Sequence, residues 1–212
     1  MAPSQSPAES PRRKRGAGAD PAQTRKALAD AAFDSLRYDG VRGTTARSIA
    51  ERSGSNQAAI YYHFGGIEPL LLEALRQSSD RRLERYREVL DGKAANIDLV
   101  ELLDALERLY EEDVKSGHMA VLAQMMGRVT TTDDLSDGLN SIIGPWISFV
   151  EDQIREVASK HPSGALVPAR DLADLLLSVV TGLELRNSVD GGADRAQRLF
   201  RLARLLLPLV DS

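Results

Sequence analysis

Apolar residues recur along this chain at helical intervals of three and four from Leu28 nearly to the C-terminus, and no stretch shows the two-residue alternation of a strand. The pattern predicts an all-α protein of about nine helices. The first runs from about Asp20–Thr24 to Tyr38, with Leu28, Ala31, Ala32, Phe33 and Leu36 on its inner side and Asp39-Gly40 as its stop. Two short helices follow, Thr45 to Ser53 and Asn56 to Phe64, before Gly65-Gly66 interrupts the pattern. A long helix then starts near Glu68-Pro69, where proline suits the first turn, and carries Leu70, Leu71, Ala74, Leu75, Leu83, Tyr86 and Leu90. Beyond it, helices are expected over 97–116, 118–129, 133–160, 168–188 and 192–208. Gly144-Pro145 can kink the third of these, and the breaks fall at His161-Pro162-Ser163-Gly164 and Asp190-Gly191-Gly192.

The two short helices have a more specific reading. Thr44 or Thr45 can cap the first, since a threonine hydroxyl accepts a hydrogen bond from an otherwise orphaned N–H. Ile49 and Ala50 give it a buried side, and Gly54 tolerates the left-handed conformation that ends it. Ser55 or Asn56 caps the second helix. Ile60 and Phe64, four residues apart, share the face that points at the core. Gln57, Ala58, Tyr61 and Tyr62 point away from it. Two helices around a tight glycine turn, the second with an exposed polar and aromatic face, make a helix-turn-helix.

At these residues the chain resembles the TetR family of bacterial transcription regulators. Thr45, Ala50, Glu51, Gly54, Ile60, Tyr61, Tyr62, His63 and Phe64 match the family's pattern in type and spacing. The resemblance implies that Thr45, Tyr61 and His63 contact phosphates, while Arg47, Gln57, Ala58 and Tyr62 face base edges, and Asn56 is counted with them in the DNA-binding set. It also implies a lysine at the position of Ile67; either one phosphate contact common in the family is missing here, or the position has become a packing residue against the head.

Charge adds a division of labour. Residues 1–67 hold ten Lys/Arg and six Asp/Glu, a local +4, whereas the remainder holds 17 and 25, a local −8; together they give the net −4. A basic head on an acidic body suits a DNA-binding domain joined to one that does not bind DNA. Three segments result: an N-terminal arm over 1–20, a head over 21–67 and a helical body over 68–212. The arm has no hydrophobic period and contains Arg12-Arg13-Lys14-Arg15. It reads as a disordered tail, or as an arm that orders along phosphates or in the minor groove. With no apolar run near the roughly 20 residues of a membrane span, no signal-peptide core and no cysteine, the sequence leads us to expect a cytoplasmic protein without disulfides or thiolate metal sites.

Enzyme chemistry finds little to stand on. The three histidines, His63, His118 and His161, form no metal-ligand pair, and no phosphate loop or Gly-x-Ser-x-Gly elbow is present. His118 reads as a helix-start residue. No catalytic residue, metal or cofactor is expected. In the body, Tyr110, Met125, Met126, Trp146 and Phe149 are either plain core or the lining of a cavity for a small apolar or amphipathic effector. Leu172, Leu175, Leu176, Val179, Val180 and Leu183 make the helix at 168–188 apolar over more than one face, and Leu199, Leu202, Leu205 and Leu206 follow in the last. Such width fits a central buried helix or burial against a second copy. The resemblance favours a homodimer through these two helices, with Leu176, Val179, Leu183, Leu199 and Leu202 in the interface and Leu183 as its outward position. Arg195, Arg198, Arg201 and Arg204 read as a solvated line or as salt-bridge partners across the dimer.

The expectation is a dimeric repressor that binds a palindromic double-stranded DNA operator and is released by a small molecule. The competing readings are an effector-independent regulator or architectural protein, and a helical ligand carrier or enzyme with a vestigial head.

Overall fold

The computed structural model describes residues 20–90, 99–128, 133–160, 166, 168–190 and 194–210. Among them lie nine helices and no strand: α1 (Pro21–Gly43), α2 (Ala46–Ser53), α3 (Gln57–Phe64), α4 (Ile67–Leu90), α5 (Leu99–Ser116), α6 (His118–Met126), α7 (Asp133–Ala158), α8 (Ala169–Asp190) and α9 (Asp194–Val210). The fold is all-α, as the periodicity predicts. The basic arm up to residue 19 and the loop expected at His161–Gly164 lie outside the described residues.

Local chemistry sets the boundaries in the head. Asp20 caps α1 by accepting from the Ala22 N–H at 3.0 Å, with Pro21 in the first turn. The regular helix breaks at Gly40, which has φ 67°, and the chain completes one further turn before Thr44. The stop expected at Asp39-Gly40 is therefore present inside a longer helical run. Thr44 turns its hydroxyl inward and donates to the Gly40 carbonyl at 2.7 Å.

Two apolar clusters hold the molecule together, and α4 passes through both. The first joins head to body: Leu28, Ala32 and Leu36 of α1, Ile49 of α2, Ile60 of α3, Leu70, Leu71 and Leu75 of α4, Val121 and Met125 of α6, and Leu139 and Ile142 of α7. The second contains Leu83 and Leu90 of α4, Ala105 of α5 and Phe149 of α7, with Tyr86 and Trp146 against them. Close approach of α4 and α7 depends on Gly138, where an added Cβ would lie 2.6 Å from a Leu72 methyl. Further along, α7 runs as one helix through Pro145, which leaves the Ser141 carbonyl without its helical donor.

Between the clusters, α4 presents a buried polar seam. Ser78 meets His118 Nδ1 at 2.9 Å, and the Trp146 indole N–H donates to Ser79 Oγ at 2.7 Å. Arg82 pairs with Asp113, which also accepts from the Tyr86 hydroxyl at 2.8 Å. Burial, followed by the nearby charges of Arg82 and Arg81, pushes the His118 imidazole down to about 3, so it stays neutral. His118 does start α6, as expected, but it is buried.

α8 is built inside out. Its buried positions include Ala169, Ala173 and Glu184, while Leu172, Leu175, Leu176, Val179 and Leu185 are exposed. Glu184 accepts from the Tyr110 hydroxyl, joining α8 to α5. On α9, Leu199, Leu202, Leu205 and Leu206 are exposed as well. Arg204 reaches the carboxylates of Asp104 and Glu107 on α5, and Arg195 donates to Asn187 at 3.2 Å, so two of the four arginines in that line have partners within the chain.

Candidate nucleic-acid interface

The helix-turn-helix is assembled from side chains that satisfy its own backbone. Thr45, not Thr44, caps α2: Thr45 Oγ1 accepts from the Ser48 N–H at 3.1 Å, and Ser48 Oγ accepts from the Thr45 N–H at 2.9 Å. Gly54 ends α2 at φ 67° and ψ 18°, a left-handed conformation that a side chain would strain. Asn56 then caps α3 through a 2.9 Å hydrogen bond from the Ala59 N–H to its Oδ1. Arg52 holds Asp39 at 2.7 Å and ties α2 to α1. Ile49 and Ile60 are fully buried beneath the pair.

This anchoring fixes which side chains face out. Gln57 and Ala58 are exposed, Tyr61 is 55% exposed and Tyr62 is 83% exposed. They form one surface at the start and outer face of α3. Thr45 and Arg47 stand exposed on α2, and Arg47 donates to Glu51 at 2.8 Å. The Glu51 contact raises the Arg47 pKa, and the ion pair is fully solvated, so the guanidinium is available to exchange partners at little cost. His63 is half-buried, its ring edge-on to Tyr62 with centroids 4.9 Å apart.

Of the sequence-predicted DNA-contacting residues all but His63 are thus exposed, with Asn56 doing capping work and His63 turned partly inward. Sequence reading passed over Arg25. It sits near the start of α1 and reaches the far end of α3, where its Nη1 donates to the His63 carbonyl at 2.6 Å. No local pattern announces a contact across 38 residues. An exposed aromatic, a glutamine, a small residue and an arginine form a surface suited to base edges, flanked by hydroxyls suited to phosphates.

The family comparison falls on the same segment. The model of the bacterial regulatory proteins, tetR family, matches residues 28–74, which hold most of α1, all of α2 and α3 and the first turns of α4. Over this segment the chain is similar to the TetR family. The HTH-type transcriptional repressor KstR2 of Mycobacterium tuberculosis is 34% identical over 117 residues, covering 55% of this chain and 52% of that protein. KstR2 of Rhodococcus jostii is 33% identical over 97 residues, 46% of each chain. The HTH-type transcriptional regulator RutR of Escherichia coli is 28% identical over 147 residues, 68% of this chain and 65% of that one. The chain spans about half the length of the KstR2 relatives it matches. Among solved structures, the fatty acid degradation regulator FadR from Bacillus halodurans has a TM-score of 0.70 at 14% identity, over 87% of this chain and 94% of that one. Salmonella enterica GusR has a TM-score of 0.66 at 22% identity, over 90% and 98%. At such identities the likeness is one of fold, across the helical body as well as the head.

Within this helical body the residues expected to line a cavity do not gather in one place. Met125 is fully buried in the first apolar cluster, with Met126 against it. Trp146 and Phe149 pack on Tyr86 in the second, with ring centroids 5.0 and 6.4 Å from it. Tyr110 lies elsewhere, near Phe200 at 6.0 Å. A cleft of about 440 Å³ opens instead along the polar seam, with Phe33, Arg82, Tyr86 and Asp113 in its wall. Burial pushes Arg82 down to about 10 and holds the Tyr86 phenol above its ordinary value. No sequence signal marked this seam, because serines, an arginine and an aspartate on helices read as solvated.

The outward dimer position also needs correction. Leu183 is half-buried, whereas Leu176 is 49% exposed and Val179 is exposed too. Helical spacing groups these residues on one stripe, but only packing against α7 decides which of them faces out. Leu199 and Leu202 are exposed, as an interface position must be in a single chain. Among the described residues, no group of three or more His, Cys, Asp or Glu could hold a metal, and no helix is long and apolar enough to cross a membrane.

Proposed function

We propose that the chain is a transcriptional repressor which binds a palindromic operator as a homodimer and is released by a small molecule. The observation that carries it is the exposed surface of Gln57, Ala58, Tyr61 and Tyr62 on a helix whose opposite face, through Ile60, is locked into the core. Phosphate contacts from Thr45, Tyr61 and His63 would set the register, and Arg47, Gln57 and Tyr62 would meet base edges. The names of its relatives KstR2 and RutR, a repressor and a regulator, support the regulatory reading.

The dimer rests on the inverted amphipathicity of α8. A helix that buries alanines and exposes Leu172, Leu175, Leu176 and Val179 offers that stripe to a partner, and α9 beside it adds Leu199 and Leu202. A symmetric four-helix contact would cover both, and a two-fold dimer matches a palindromic site. The effector reading rests on the cleft along the polar seam, whose wall combines rings with a buried arginine–aspartate pair and so suits an amphipathic molecule.

Electrophoretic shift with duplexes from the DNA flanking its own gene tests the core of this proposal. One discrete complex of two chains per duplex, resistant to excess random DNA, is the expected outcome. Binding no tighter than to random DNA would refute it.

A further inference from the structure

We propose that Arg25 is the positioning residue that sets the angle of the recognition helix α3 and ties it to α4; this rests on the DNA-binding reading above. Three contacts converge on its guanidinium. Nη1 donates to the His63 carbonyl at 2.6 Å, the guanidinium lies 4.3 Å from the centre of the Phe64 ring, and Nη2 stands 3.7 Å from Glu73 Oε1 on α4.

The last turn of α3 is where such a contact has most effect. Helix α3 has only eight residues and ends at Gly65 in the left-handed conformation, φ 79°. The final carbonyls of a helix lack internal donors and carry the negative end of its dipole, so a cation there satisfies both. Arg25 does this from a separate helix. Its position over Phe64 adds an attraction between cation and ring face, and that ring is itself packed on the main core.

The anchor on α4 is prepared. Glu73 accepts from Gln77 at 2.8 Å and from Arg76 at 2.8 and 3.0 Å, and its side chain is 17% exposed. Burial acts to raise the Glu73 pKa, but the hydrogen bonds from Gln77 and Arg76 and the charges of Arg76 and Arg25 outweigh it and hold it low. The carboxylate therefore stays charged and fixed, facing Arg25. The beginning of α4 supplies no such tether: Ile67 is half-buried against the apolar cluster. Movement of α4 relative to the head would pull on Glu73, then Arg25, then the C-terminal end of α3. Base contacts in the reading above run along that helix from Gln57 to Tyr62, so a change in its angle moves them.

Hydrogen exchange on the full chain, free of DNA, tests this independently of any operator. In Arg25→Gln, amides of the last turn of α3, Tyr61 to Phe64, should exchange about tenfold faster, and Glu73→Gln should move them in the same direction. Lys26→Gln, which breaks only the surface Lys26–Asp30 pair on the same helix, should leave them unchanged. If Arg25→Gln does not fold, Arg25→Lys keeps the charge but loses the fork, and should give an intermediate rate. Unchanged exchange in the folded Arg25 variant overturns the proposal. The second arm measures affinity for a duplex from the DNA flanking its gene across salt concentrations. Arg25→Gln should weaken binding about tenfold with the slope of log affinity against log salt unaltered. A slope smaller by about one unit would make Arg25 a phosphate ligand instead and also overturn the proposal. A native chain that binds no DNA would sink the regulatory reading while leaving the exchange result to stand.

Discussion

Leu176 gives the sharpest test of assembly. It is 49% exposed in the single chain and sits mid-stripe on α8 between Leu172 and Val179. Fully burying a leucine is worth about 2 kcal/mol, so covering its exposed half contributes about 1 kcal/mol. A two-fold interface uses the residue twice, which makes about 2 kcal/mol per dimer. At about 1.4 kcal/mol per factor of ten, Leu176→Ala should raise the dimer dissociation constant about 30-fold. Leu176→Arg should do more, because an unpaired charge must then be desolvated at a cost of several kcal/mol. Since the side chain points outward, both variants should keep the native helix content by circular dichroism. Val100 on α5 has the same 49% exposure off the stripe, so Val100→Arg is the control and should stay dimeric. Analytical ultracentrifugation at micromolar concentration decides it. A folded Leu176→Arg chain that sediments as a full dimer would show that α8 is not the interface.

The remaining predictions concern the head and the seam. Gln57→Ala should weaken cognate binding by about 1–3 kcal/mol more than binding to random DNA, since one good base contact is worth that much; equal losses in a competition titration would remove Gln57 from sequence reading. Asn56→Ala should lower stability by about 1 kcal/mol in urea unfolding, because the Ala59 N–H loses its cap at 2.9 Å. His118 is held neutral with a pKa near 3 against an ordinary 6.5, so the unfolded chain binds the extra proton and stability must fall as pH drops below about 6.5. The slope between pH 6.5 and 5 should approach about 1.4 kcal/mol per unit, and His118→Asn should flatten it; a variant with the native slope would assign that dependence to other groups.

The head was legible because each of its boundaries is written in local chemistry. A threonine, a glycine and an asparagine at fixed spacing allow the α2–α3 turn and little else, and the structure only chose Thr45 over Thr44 and Asn56 over Ser55. The long helices were legible for a different reason: their apolar residues recur for many turns, so an error of one or two residues at an end leaves the element intact. Which face of a helix is covered is another matter. The stripe on α8 contains both half-buried Leu183 and exposed Leu176, and nothing in its spacing tells them apart. The polar seam failed to show for a related reason. Ser78, Asp113 and His118 become buried, and Arg82 largely covered, only when α4, α5 and α6 meet.

Ile67 brings these strands together. From the resemblance alone, its side chain marks a missing phosphate contact, with packing against the head as the competing account. The structure places Ile67 half-buried on the cluster built from Leu28, Ile49, Ile60 and Leu70, where it packs the start of α4 against the head. A lysine there would have to lift its ammonium out of that contact to reach DNA, giving up apolar burial to gain one salt-sensitive interaction. Six residues further along α4, Glu73 meets Arg25, and Arg25 meets the end of α3. In this chain the tie between the body and the reading helix runs through protein contacts, so it should persist whether or not DNA is bound. A molecule that shifts α4 would then act on the chain whether or not DNA is bound, and its affinity for the two forms would differ only by the strain that DNA places on this clasp.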